Sequence, residues 1–510
     1  MNRFPHILLL PLLLVACSKN PVTGKSELRL VSEEQELAIG AEQYEPTRQS
    51  QGGDYLADPE LNLYVSEVGR KLAAVSDRQL PYEFKILNDS IPNAWALPGG
   101  KIAVNRGLLV QLNSEAELAA VIGHEITHAA ASHTASQMSK MMVLQGAVAG
   151  VAIATANNKY GGAAQVGALL GTQLIGQRFG RDAERESDHY GMLYMARAGY
   201  DPNGAVELQR TFVQLSAGQR QDWLSGLFAS HPPSEERVQN NAAMAATLPA
   251  GDAGEARFLA KTAHLRQTTP AYTDYEKGRK ALAEGRDGEA EQLAKKALAL
   301  EPKEGLFHAL LGDIEQKRGH LPLAKQNYDR ALYYNPRFFY FLLQRGKTNE
   351  KLGIYPEARS DLEASSKLLP TADAYNLLGN LARRDNQMEQ AKGYYAKAAG
   401  SDSPVGKEAF GSLVDLDLPA NPGKYLPAQA GGDANGRVVA QVVNNTPRNV
   451  TALVVQVQFR DAGGQTRSVQ KALSGNLPAG QKVAADFGFV LTPAELATLQ
   501  AAVVQAKVAQ

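Results

Sequence analysis

The chain has one cysteine, no net charge and no uninterrupted apolar run long enough to cross a bilayer, and each lack excludes a class of protein. The single cysteine, Cys17, cannot close an intramolecular disulfide, which removes the disulfide-stapled secreted folds. Lysine and arginine together number 53, as do aspartate and glutamate. A balanced chain offers no basic stripe to a polyanion, and no nucleic acid is expected as a partner. The apolar run from Ile7 to Ala16 is about half of the roughly 20 residues that a membrane-spanning helix requires. Contents of 44% hydrophobic and 21% charged residues fit neither a polytopic membrane fold nor wholesale disorder. What remains is globular protein, and 510 residues at roughly 150 per domain predict about three domains.

The lone cysteine is informative by position. Residues 1–17 read as a positive start at Arg3, an apolar run, and Leu14-Val15-Ala16-Cys17, which together have the shape of a signal peptide. The ending resembles a bacterial lipobox, in which Cys17 is lipidated and becomes the new N-terminus. Several acyl chains on one residue give stable anchoring to a membrane. Ser18 follows, with no aspartate there to favour inner-membrane retention. The expected location is the periplasm, by a lipid anchor in the inner leaflet of the outer membrane.

The rest reads as a multidomain α+β chain. Residues 18–250 form a mainly helical domain with a small sheet. A helix from Leu61 to Val75 places Leu61, Val65, Val68 and Leu72 at helical spacing, and strands follow at Tyr82 to Leu87 and Lys101 to Val104. Met141 to Gly176 is apolar but broken by Asn157-Asn158-Lys159 and Gly161-Gly162, so a helical hairpin packed on this domain is expected rather than a span. Over 271–404, Pro302, Pro336, Pro370 and Pro404 lie at steps of 34, as do Gly278, Gly312 and Gly346, and Ala290, Ala324 and Ala358; Gly379 and Ala391 come one residue early. Small residues let paired helices approach, and the proline stops the second helix of each unit. Four such units resemble tetratricopeptide repeats and imply an α-solenoid. Tyr328, Tyr333 and Tyr394 are expected to pack between its helices. Prolines 404, 419, 422 and 427 with Gly431-Gly432 predict a linker over 405–432. Alternation over Arg437 to Val443, Val450 to Phe459 and Lys482 to Phe489 predicts a small β-sandwich at 433–510, and Thr492-Pro493-Ala494-Glu495 has the form of a helix start.

The chemistry concentrates in His124-Glu125-Ile126-Thr127-His128. Ser114 with Glu117 three residues on predicts a helix start, and the helix runs through Leu118, Val121 and Ile122 into the motif. His124 and His128, four apart, project from one face and can hold one metal ion, and Glu125 beside them can reach a water without ligating. With nine histidines, such a motif arises by composition only about 0.01 times. Neutral imidazoles suit zinc. A third ligand sorts the zinc peptidases. A metzincin requires a histidine six residues after His128, but Thr134 stands there and His133 is one short, so that class is excluded. The alternative is a carboxylate from a second helix, and Asp182 to Asp188 supplies candidates. Glu184 and Asp188 share a helix face; Glu184 is a candidate ligand and Asp188 a candidate acceptor for the second N–H of a ligand histidine. The same run also reads as a solvated charged helix.

Taken in order, Cys17 with Asn20-Pro21-Val22-Thr23-Gly24, Asn93-Ala94-Trp95-Ala96-Leu97-Pro98-Gly99-Gly100, His124 to His128, Glu184 to Asp188, and Ser230-His231-Pro232 resemble the gluzincin peptidases related to the CaaX prenyl protease, and within them the BepA-type periplasmic proteases with tetratricopeptide repeats. The resemblance covers residues 20 to about 245 closely and the repeats in kind. It implies a zinc metalloendopeptidase with Glu184 as third ligand, and an edge strand at Asn93, Ala94, Trp95 and Ala96 that holds substrate through its backbone. His231 is implied to lie near the metal, as a switchable fourth ligand or a transition-state donor; read alone, it opens a Pro-Pro turn. Arg237 is a further residue of that region. Ser187 departs from the alanine common in relatives. Unfolded or misassembled envelope proteins are the implied clients, with the repeats docking clients or an outer-membrane assembly machinery. An adaptor or chaperone with repressed proteolysis is the rival reading.

Overall fold

The computed structural model describes residues 17–152, 179–217 and 230–509. The run before Cys17 and most of the hairpin expected over Met141 to Gly176 lie outside the described residues. Contacts divide the chain into two compact units, Met1–Leu352 with Lys367–Leu369, and Gly353–Ser366 with Pro370–Gln510. No helix among the described residues is long and apolar enough to cross a membrane.

The first unit opens with an antiparallel hairpin of β1 (Cys17–Lys19) and β2 (Ser26–Leu28). Helix α1 (Glu33–Ser50) follows from a capping box at Ser32, and α2 (Pro59–Ala73) is the helix read around Leu61, with Leu61, Val65, Val68 and Leu72 all buried. Strands β3 (Glu83–Leu87) and β5 (Lys101–Asn105) run parallel, and β4 (Ala94–Leu97) pairs antiparallel with the other side of β5. The order β3-β5-β4 puts β4 at an edge. The turn between β4 and β5 requires glycine: Gly99 and Gly100 sit at φ 75° and 78°, where other residues are strained.

Helix α3 (Glu115–Ala130) carries the metal motif and is buried along its whole length. Ser114 caps it by accepting from the Glu117 amide at 3.1 Å. The Glu117 carboxylate reaches past Ser114 and accepts instead from the Asn113 amide at 2.9 Å. A left-handed Ser132 (φ 56°) then turns the chain into α4 (His133–Ala152). Helices α5 (Arg181–Arg197) and α6 (Asn203–Ala217) pack on α3, and α7 (Glu235–Ala245) packs on both of these. Glycine permits the closest crossing: a Cβ on Gly191 would lie 3.0 Å from the Gly123 carbonyl carbon and the His124 amide. That approach brings the Glu184 side of α5 against the histidine face of α3.

The repeat period becomes helices α8 (Ala263–Ala283), α9 (Asp287–Leu300), α10 (Gly305–Lys317), α11 (Leu321–Tyr334) and α12 (Phe339–Lys351) in the first unit, and α13 (Ala372–Arg384), α14 (Met388–Ala398) and α15 (Pro404–Asp417) in the second. Tight turns recur at Gly285, Gly319 and Gly353, each with positive φ; Asn386 takes that conformation one residue early, matching the early Gly379 and Ala391. Small residues do what their spacing predicted. Tyr328 packs where a Cβ on Gly312 would sit, and Tyr395 does the same at Gly379. Tyr394 stacks on Tyr375, but Tyr333 is 81% exposed and packs between no helices.

The repeats of the first unit are joined to its body by buried polar contacts. Glu304 accepts from Asn88 at 3.0 Å and from Tyr272 at 2.7 Å, while Arg106 donates to Asn88 and lies over the Tyr272 ring. These contacts fix the segment that leads from β3 into β4.

Within the repeats, Asp313 on α10 accepts from Tyr328 and Tyr340, each at 2.8 Å. Desolvation between the two phenols nevertheless pushes its carboxyl up to about 6. Since the folded value exceeds the unfolded one, this stabilisation is complete below about pH 4 and is lost as pH rises through about 6. We expect the opening free energy of α10 to fall by up to about 3 kcal/mol between pH 4 and 7, and Asp313→Asn to flatten that dependence. Amide exchange of α10 at several pH values checks this; identical wild-type and Asp313→Asn profiles would contradict it.

In the second unit the stretch 405–432, expected as a linker, is structured. Pro404 occupies the first turn of α15 behind the Ser403 cap, and Pro422 likewise opens a short helix, positions where a missing N–H costs nothing. Residues 428–432 form β6 (Ala428–Gly432), which pairs with β7 (Arg437–Val443), and β7 pairs with β10 (Lys482–Val490). A second sheet orders β11 (Gln500–Val508), β8 (Val450–Arg460) and β9 (Thr466–Leu473). Val438, Ala440, Val442, Val455 and Val457 fill the sandwich, and Val414 and Leu418 from the supposed linker join them. The Thr492 helix start forms with its capping box complete.

Candidate metal centre

Three elements deliver the site. On α3, His124 Nε2 and His128 Nε2 lie 3.0 Å apart. From the first turn of α5, Glu184 brings Oε1 to 3.5 Å from His128 Nε2 and Oε2 to 3.6 Å from His124 Nε2. His231, just ahead of α7, places Nδ1 3.3 Å from His124 Nε2 and 2.9 Å from Glu184 Oε1. Bonds of 2.0–2.1 Å to a tetrahedral zinc ion set donor separations of about 3.3 Å, and these separations scatter around that value. Glu184 Oε2 is buried and accepts no hydrogen bond among the described residues, although Arg237 Nη1 pairs with its charge at 3.1 Å. An under-satisfied carboxylate among imidazole nitrogens fits zinc, and His124, His128 and Glu184 with His231 are the donors that would hold it.

The protonation states match that reading. Burial pushes His128 well below its ordinary value and so keeps it a neutral ligand. Burial alone would raise Glu184, but the charge of His231 and its hydrogen bond, with the neighbouring ring of His124, hold it well below the carboxylate range. Glu125, 2% exposed, is pushed up by burial, and its Oε1 is 3.7 Å from His231 Nε2. A carboxyl so poised can both take and return a proton. Asp188 Oδ1 lies 2.9 Å from His124 Nδ1, which orients that ring with Nε2 toward the other donors. Arg237 grips Asp188 with two hydrogen bonds of 2.7 Å, which, with the charge of Arg237, outweigh burial and lower its pKa. Ser234 caps α7 by accepting from the Arg237 amide, so one short motif supplies both His231 and Arg237.

Every metal and catalytic candidate read from the sequence, His124, His128, Glu184, Glu125, Asp188 and His231, falls in this one cluster. The segment from Asn93 to Ala96 supplies no donor; Ala94 to Ala96 lie in edge strand β4, packed against α3, and Asn93 Oδ1 and Trp95 Nε1 are buried without hydrogen-bond partners among the described residues. Cys17 opens β1, and its lipidation lies outside what the fold records. Two contributors escaped the sequence reading. His133, considered only as a failed metzincin ligand, places Nδ1 3.0 Å from His128 Nδ1. Phe179 packs its ring 4.1 Å from that of His128. Ser187 is fully buried, 3.5 Å from His133 Nδ1. No spacing in the sequence marks His133 as a partner of His128, because its approach depends on the left-handed turn at Ser132.

Residues 59–245 match the family model "Peptidase family M48". A β-barrel assembly-enhancing protease of Escherichia coli (strain K12) is 26% identical over 426 residues, covering 76% of this chain and 85% of that protein. The mitochondrial metalloendopeptidase OMA1 of Schizosaccharomyces pombe is 31% identical over 222 residues, 43% of this chain and 64% of its own length. A β-barrel assembly-enhancing protease of Yersinia pestis is 29% identical over 219 residues, 42% of this chain and 43% of that one. The chain thus spans about half to two thirds of the length of the last two relatives. With a donor set that fits zinc and a match enclosing all of it, residues 59–245 of this chain are similar to the peptidases of family M48.

Proposed function

We propose that the chain is a zinc-dependent metalloendopeptidase, lipid-anchored through Cys17 in the periplasm, that degrades misfolded or misassembled envelope proteins. The observation that carries this is the convergence of His124, His128 and Glu184 beside a buried Glu125 that does not join the donor set. Zinc held by these donors would supply Lewis-acid chemistry to a carbonyl and a water at the site. Glu125 takes the water proton and returns it to the leaving amine. Asp188, clamped by Arg237, keeps His124 in the ligating orientation. Edge strand β4 receives an extended client segment by backbone pairing, which selects unfolded chains over any one sequence. The repeats dock clients or an outer-membrane assembly machinery, in keeping with the names of the E. coli and Yersinia relatives.

His231, whose Nδ1 lies 3.3 Å from His124 Nε2, would take the fourth donor position on a bound metal, and a substrate would reach that metal only once this side chain withdrew. The rival, an adaptor whose proteolysis is repressed, rests on the same residue. The expected result is that phenanthroline abolishes casein hydrolysis, that added zinc restores it, and that His231→Ala hydrolyses casein at least as fast as the wild type. Chelator-insensitive hydrolysis would sink the zinc reading, and a zinc-loaded His231→Ala that is inert on unfolded substrates favours the adaptor.

A further inference from the structure

His124 and His128 are both ligand histidines, but they are supported differently. His124 is backed by Asp188 and Arg237. Behind His128 stands a second histidine. With His128 Nε2 facing the donor cluster, its Nδ1 carries the hydrogen and donates to His133 Nδ1 at 3.0 Å. The other nitrogen of His133, Nε2, then bears a hydrogen and faces Glu186 Oε2 at 3.4 Å. Lys25 donates to the remaining oxygen, Glu186 Oε1, at 2.6 Å. His128, His133, Glu186 and Lys25 thus form a chain in which each group fixes the tautomer or orientation of the next.

The chain ends in the β1–β2 hairpin, and that hairpin is built to reach the metal helix. Asn20 Oδ1 accepts from the amides of Val22 and Thr23 at 2.9 and 3.1 Å, which folds the turn, and Gly24 completes it at φ 69°. The Asn20 amide donates to the Ala131 carbonyl, at the end of α3, at 3.1 Å. On the next residue, Ser132 Oγ accepts from Arg78 and from Arg29 and donates to Glu36. Asn20 and these charged groups therefore pin the left-handed turn that sends the chain from α3 into α4 and carries His133 back beside His128. Asn20, Ser132 and His133 are buried; Lys25 is not.

We infer that His133 is a positioning residue for the metal ligand His128, and that the β1–β2 hairpin, through Asn20 and Lys25, holds His133 in place. The inference rests on the metal site proposed above. It gives the segment immediately after Cys17 a direct part in metal binding, beyond that of a spacer between anchor and domain.

Zinc affinity of the full chain, measured by competition with a chromogenic chelator, is the test. Outer partners of metal ligands typically contribute 10- to 100-fold in affinity. His133→Ala is expected to raise the zinc Kd by about that factor, and His133→Gln, whose carbonyl can accept from His128, to recover part of it. Because Lys25 is exposed, Lys25→Ala costs less, about two- to fivefold, and Asn20→Ala falls between. Cobalt-substituted His133→Ala should also show a shifted d–d spectrum, a change that loosened packing elsewhere in the body does not produce. If His133→Ala does not fold, His133→Gln and Glu186→Gln decide the matter by the same readouts. Kd values within twofold of wild type and an unchanged cobalt spectrum in His133→Ala, or in both substitutes, would overturn the inference. A wild-type chain that binds no zinc overturns the proposed metal site instead.

Discussion

Glu125→Gln keeps its zinc and loses peptide hydrolysis by about 10²- to 10⁴-fold, the usual share of a general base. The substitution is nearly isosteric, and Glu125 is not among the four residues whose donor atoms converge. What changes is proton traffic. A carboxylate raised by burial can hold the proton between its removal from water and its delivery to the leaving amine; a carboxamide cannot. A loss of 10³ corresponds to about 4 kcal/mol of transition-state stabilisation. Zinc content and casein hydrolysis measured on one preparation separate the roles. Wild-type hydrolysis would refute Glu125 as base, and loss of zinc would show that it ligates.

Arg237→Ala produces the largest effect expected on stability. Arg237 is 7% exposed, and its guanidinium is the cation shared by two buried carboxylates, with two hydrogen bonds to Asp188 and a charge pair to Glu184. Removing one partner of a buried charge pair costs about 3–5 kcal/mol, because the other charge is left without compensation. Asp188 then no longer fixes His124, so zinc affinity falls as well. Arg237→Lys recovers little, since an ammonium cannot grip both oxygens of Asp188 while facing Glu184. Exchange protection of the α3 amides in metal-free protein reads the first effect and chelator competition reads the second. Protection and zinc affinity both equal to wild type would contradict this account of Arg237.

How much of this was legible in the sequence follows from how local each feature is. The two histidines and Glu125 are fixed by the period of a single helix, so His124-Glu125-Ile126-Thr127-His128 announced its own geometry. Glu184 lies 56 residues beyond His128; composition left it as one acid among several, and the family resemblance singled it out. The glycine crossing of α3 and α5 is what brings it in. His133 was weighed only as a ligand, and its actual partner, the far nitrogen of His128, depends on a left-handed turn that no spacing rule supplies. The repeats were plain because the same packing recurs every 34 residues. Prolines misled at 405–432, since Pro404 and Pro422 start helices there. Strand β9 left little pattern to read: almost every residue in it is exposed, so neither face alternates with the other.

Zinc-edge anomalous diffraction from crystals of the full chain, purified without chelator, tests the central claim most directly. The account predicts one zinc per chain, bonded to His124 Nε2, His128 Nε2 and a Glu184 carboxylate oxygen at about 2.0–2.2 Å, with Glu125 unbonded beside it. A chain with no anomalous peak between α3 and α5, or with zinc held elsewhere while His124 and His128 remain unligated, would contradict it.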